Sequence, residues 1–127
     1  MTLFPPLTRQ AAWVALTLML AGLSQANEPE PLAATISAQG AGLYRISLTL
    51  RHADEGWDHY ADRWELVDEQ GNLLATRRLQ HPHVDEQPFT RSLSAVRLPQ
   101  GLEKVTIRVH DSRHGYGRRK VTLEIPR

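Results

Sequence analysis

From Tyr44 to Leu50 the chain alternates strictly: Tyr44, Ile46, Leu48 and Leu50 are apolar, while Arg45, Ser47 and Thr49 between them are polar. Successive side chains of an extended strand point to opposite faces, so this pattern buries one face and wets the other. Val105, Ile107 and Val109 repeat it against Thr106 and Arg108, and Val121, Leu123 and Ile125 against Thr122 and Glu124. Four weaker segments, residues 33–38, 61–68, 73–79 and 89–97, bring the expected strands to seven. No ten-residue stretch after residue 26 carries a helical period. Seven short strands without a helix predict an all-β, seven-stranded antiparallel sandwich of immunoglobulin or fibronectin III type, with a small barrel as the alternative.

The first quarter of the chain has a different composition. One charge, Arg9, precedes an apolar run from Ala11 to Leu23, and Ser24-Gln25-Ala26 supplies small residues for cleavage. This order of parts predicts a signal peptide over residues 1–26. The run is about 13 residues, against about 20 for a membrane-spanning helix, so no transmembrane segment is expected after cleavage. Residues 27–31, with two Pro and two Glu, read as a flexible lead-in to a domain over residues 32–127. The expected location is periplasmic or secreted. No Cys follows the apolar run, which excludes attachment through a lipid-modified Cys.

Removing Arg9 leaves 14 basic and 14 acidic residues, a balance with nothing to draw the domain to nucleic acid. The chain has no Cys, and its methionines, Met1 and Met19, both lie in the expected signal. The mature domain therefore holds no sulfur. It must rely on a packed core rather than disulfides, and it lacks the soft donors that suit Cu(I).

Short glycine-bearing turns are expected at residues 39–42, 69–72 and 99–101. The other connections, residues 52–60, 80–88 and 110–117, are longer. Simple up-and-down threading puts the three turns at one end and the three long loops at the other. All six histidines fall in these loops: His52 and His59, His81 and His83, His110 and His114. Asp54, Glu55, Asp58, Asp85, Glu86 and Asp111 accompany them, with Trp57, Tyr60, Phe89 and Tyr116. Imidazole with carboxylate suits Zn(II), Cu(II) or Ni(II), so the six histidines are the candidate metal ligands. The bland alternative is that loop histidines bond neighbouring backbone groups and that His81-Pro82-His83 is only a turn.

Other features read structurally. Trp64 and Leu66 are expected in the core, Tyr116 at a hairpin tip between Gly115 and Gly117, and Arg118-Arg119-Lys120 on a solvated edge that resists aggregation. His110-Asp111-Ser112 is no triad by adjacency, because neighbours on a strand end point apart. No catalytic or cofactor-binding residue is assigned, and the chain is not read as an enzyme.

The segments Ala61-Asp62-Arg63-Trp64-Glu65, His81 through Ser94 and His110-Asp111 through His114-Gly115 resemble a group of small exported bacterial proteins of uncharacterised activity. The similarity runs over roughly residues 43–125 and implies a Gram-negative, periplasmic setting with no established cofactor or catalytic residue. The reading that follows is a periplasmic binding module whose His-rich end contacts a divalent metal or a partner protein. The alternatives are a metal-independent envelope interaction or structural module, and a hydrolase.

Overall fold

The structure, a computed structural model, describes residues 28–127. The expected signal peptide lies outside the described residues. Seven strands follow in order: β1 (Glu30–Gly40), β2 (Leu43–Arg51), β3 (Ala61–Val67), β4 (Leu73–Arg78), β5 (Phe89–Arg97), β6 (Lys104–Asp111) and β7 (Gly115–Glu124). They form a three-stranded sheet in the order β1-β2-β5 and a four-stranded sheet in the order β4-β3-β6-β7. Every neighbouring pair is antiparallel. Among the described residues there is no helix.

The alternation seen in the sequence becomes the core. Ile46, Leu48 and Leu50 of β2 and Phe89 of β5 meet Trp64 and Leu66 of β3 and Val105, Ile107 and Val109 of β6 in one buried cluster. Each such side chain contributes roughly 1.5–3 kcal/mol relative to an exposed one. The outward positions are polar and paired across strands. On the first sheet Arg45 donates to Ser94 at 2.6 Å, and the hydroxyls of Thr49 and Thr90 meet at 2.6 Å. On the second, Glu65 accepts from Arg63 and Arg108, each at 2.8 Å, and from the Tyr116 hydroxyl at 3.0 Å.

Three local expectations are corrected. The connection after β6 is a tight turn at residues 112–114 rather than a loop over 110–117, because β7 begins at Gly115, not near Val121. Residues 115–120 show no apolar alternation, since β7 is an edge strand and Arg118, Arg119 and Lys120 are all exposed. Tyr116 is consequently no hairpin tip: it sits opposite His110 in the ladder and bonds Glu65. At the other end of the chain β1 starts at Glu30, within the expected lead-in, and Pro29 is fully buried. A Cβ at Gly117 would lie 3.0 Å from the Pro29 ring, so glycine there permits the first residues of the domain to pack on β7.

Candidate metal centre

The inward column of β2 does not stop at the end of the strand. Beyond Ile46, Leu48 and Leu50 it continues through His52 and Asp54, both buried. The column of β6 likewise runs Val105, Ile107, Val109 and then Asp111, which is fully buried. Two strands in different sheets thus deliver an imidazole and two carboxylates to one end of the core. The loop between β2 and β3 adds His59. It folds back through an isolated bridge between Gly56 and His59, with the Glu55 N–H on the His59 carbonyl at 2.8 Å. Gly56 takes a φ of 135°, a region that side chains disfavour, and this reversal sets Glu55 beside His59.

These groups form a chain of alternating acid and imidazole. His52 Nδ1 lies 2.6 Å from Asp54 Oδ1, and its Nε2 lies 2.8 Å from Asp111 Oδ2. His59 Nε2 reaches the same Asp111 Oδ2 at 2.8 Å, and its Nδ1 bonds the Glu55 carboxylate. The remaining carboxylate valences are filled by backbone. Asp54 accepts from the N–H of Ala61 at 2.9 Å and of His83 at 2.7 Å. Asp111 Oδ1 accepts from the N–H of Arg113 at 2.7 Å and of His114 at 3.2 Å. Gln87 clasps the loops, accepting from the His52 N–H and donating to the His83 carbonyl.

The electrostatics follow from this geometry. Burial opposes a charge on His52, but the bonds to Asp54 and Asp111 outweigh it and raise its pKa. The Glu55 bond raises that of His59 against a smaller opposing effect of burial, with Asp111 adding to it. Burial pushes Asp54 and Asp111 upward, yet imidazole and backbone N–H donors hold both below the usual carboxylate range. Glu55 is lowered by its bond to His59. Carboxylate oxygens at both nitrogens of each ring thus favour the protonated imidazole.

The same arrangement presents a donor set. His52 Nε2, His59 Nε2 and one Asp111 oxygen all lie within 4.8 Å of one another. Each of the two imidazoles rests its other nitrogen on a carboxylate, as metal-ligating histidines do, which fixes the tautomer and the ring plane.

Of the six histidines singled out from the sequence, three gather here: His52, His59 and, at the rim, His114. The exposed His114 ring stands edge to face with His59 at a centroid distance of 4.9 Å. His83 is buried nearby, stacked on Phe89 at 3.8 Å with its Nε2 3.0 Å from Arg91 and its Nδ1 4.0 Å from Asp54, too far for a hydrogen bond. Burial, then Arg91, lowers its pKa. His81 is exposed and turns Nδ1 to the Pro82 carbonyl at 3.0 Å. His110 lies on the outer face of the four-stranded sheet, paired with Asp62 at 2.7 Å. Asp111 had no place among the six expected ligands, although it meets the Nε2 of both His52 and His59. Its signal was the apolar period of β6 continued by an acid.

No family model matches the chain. It is similar to a protein of Halomicrobium mukohataei described as a putative lipoprotein, with 38% identity over 90 residues. The match covers 71% of this chain and 44% of that protein, so the chain spans less than half the length of its relative. Among the described residues, no helix is long and apolar enough to cross a membrane.

Proposed function

We propose that this chain is an exported envelope protein, periplasmic or secreted, whose β-domain is an immunoglobulin- or fibronectin III-like sandwich carrying a divalent-metal site. The ligands are His52 Nε2, His59 Nε2 and an Asp111 oxygen, with Asp54 and Glu55 behind the two imidazoles. Export is supported by the leader-like residues 1–26 and by the description of the relative as a putative lipoprotein. The sandwich class is supported by the three-on-four sheet order.

One observation carries the metal reading: two buried imidazoles aim the same nitrogen at a single oxygen while their opposite nitrogens are held by acids. Starting from protonated rings, a divalent ion between them replaces one proton on each, so two positive charges leave as two arrive. The buried site keeps its net charge, and binding incurs no new desolvation of unbalanced charge. Nitrogen and oxygen donors without sulfur suit Zn(II), Cu(II) or Ni(II).

Titration calorimetry of the mature chain with these ions, run in two buffers of different ionisation enthalpy, tests this reading. The expected outcome is one ion bound with about two protons released, and affinity that rises with pH. Absence of both binding heat and any rise in melting temperature would overturn it, since a ligand of the folded state must stabilise that state.

An exposed tryptophan packed on a half-buried tyrosine favours a second, metal-independent use of the same end. Trp57 is 68% exposed and stands edge to face with Tyr60 at 5.7 Å. Such a pair suits contact with a partner protein.

A further inference from the structure

We propose that His114 is the fourth ligand of this site and closes it against solvent. The inference rests on the metal reading above and says what kind of centre it is.

The ring spacing is the first support. Two imidazoles bound through nitrogen at about 2.0–2.1 Å to one tetrahedral ion hold their centroids about 5 Å apart. His52 and His59 stand at 5.1 Å with planes 84° apart, and His59 and His114 at 4.9 Å and 87°. Both pairs already have the separation that a shared ion imposes, with His59 common to them.

The second support is the way the turn is anchored. The Asp111 carboxylate offers Oδ2 to the two buried imidazoles, and with Oδ1 it holds the backbone N–H groups of Arg113 and His114. One side chain therefore supplies a ligand and fixes the segment bearing the next one. Gly115, at a φ of 83°, then leads directly into β7, which holds the turn between two paired strands.

The third support is freedom of the ring. His114 is exposed, and among the described residues no hydrogen bond holds its imidazole, whereas His52 and His59 are bonded at both nitrogens. Adjustment of the His114 side chain breaks no hydrogen bond. Asp54, Ala61 and His83 beside the trio are buried, whereas Glu55 and His114 are exposed.

Three imidazoles and one carboxylate complete a tetrahedral set. A centre whose four positions are all filled by protein keeps none for water or substrate, which makes it a holding or structural site rather than a hydrolytic one.

Co(II) serves as the spectroscopic probe, added to the mature wild-type chain and to His114→Ala, with His110→Ala as the control. The expected result is the intense visible absorption of four-coordinate Co(II) in the wild type and the control. His114→Ala should still bind, with weaker bands as water enters, and with affinity reduced at least by the roughly 10- to 100-fold that loss of an outer-shell partner costs. A His114→Ala protein with unchanged spectrum and affinity overturns the fourth ligand and leaves the three-residue site standing. No Co(II) binding by the wild type overturns both.

Discussion

The two ends of the domain are closed in opposite ways. At the end of the short turns, Tyr44, Leu98, Leu102 and Ile125 pack on the core and border one open cleft of about 860 Å³. At the other end the columns that begin with Ile46 and Val105 finish in His52, Asp54 and Asp111. Apolar closure is non-directional and indifferent to pH. Ionic closure needs each donor matched to an acceptor, so it fails when one member is removed. If the proposed reading holds, the polar end responds to pH and to ligand while the apolar scaffold beneath it responds to neither.

The largest effect that would sharpen this contrast is expected from Asp111→Ala. It strips two buried imidazoles and two turn amides of their shared acceptor, at a cost of about 3–5 kcal/mol by urea unfolding, and it abolishes metal-induced stabilisation. Leu48→Ala, in the apolar middle, should cost about 3 kcal/mol through its cavity, while metal still raises the melting temperature. If both variants lost the metal response equally, the two regions would not be separable.

The pH dependence comes next. His52 and His59 have pKa values raised above 6.5, so their contribution is complete below about pH 6.5 and fades as pH climbs through the raised values. Asp54 and Asp111 lie below 3.8, so theirs is present above about pH 4 and fades as pH falls through the lowered values. The metal-free protein should lose stability from pH 6.5 upward as His52 and His59 release their protons, offset in part by His83, whose lowered pKa favours higher pH. With Zn(II) the trend above pH 6 should reverse, because the ion needs the protons gone. Parallel curves with and without metal would break the comparison. The smallest effect is expected at exposed His81: His81→Ala should change stability by less than about 0.5 kcal/mol, and calorimetry should show metal affinity unaltered.

Strand number and order of threading were readable because β2 and β6 alternate cleanly, and the gathering of the loops around residues 55, 83 and 113 followed from that threading. The His83 N–H does meet Asp54, and Asp111 meets both His52 and His59. The six histidines, by contrast, were not equivalent, and composition could not sort them. His110 stands one residue from Asp111 on the same strand, and the alternation of faces sends it to the opposite side of the sheet. The extent of β7 was hidden because an edge strand fills its outer positions with charge. The deeper members of the cluster were legible in principle: His52 and Asp54 keep step with Leu50, as Asp111 keeps step with Val109.

The placement of the tryptophans gives the domain two optical reporters. Trp64 is sealed in the core, and Trp57, seven residues earlier, stands in water on the loop that presents His59. Excited at long wavelength, the folded protein should emit as the sum of a blue component shielded from acrylamide and a red component open to it. Bound Cu(II) would darken the red component first, so occupancy could be followed without a label while the blue component reports that the fold is intact.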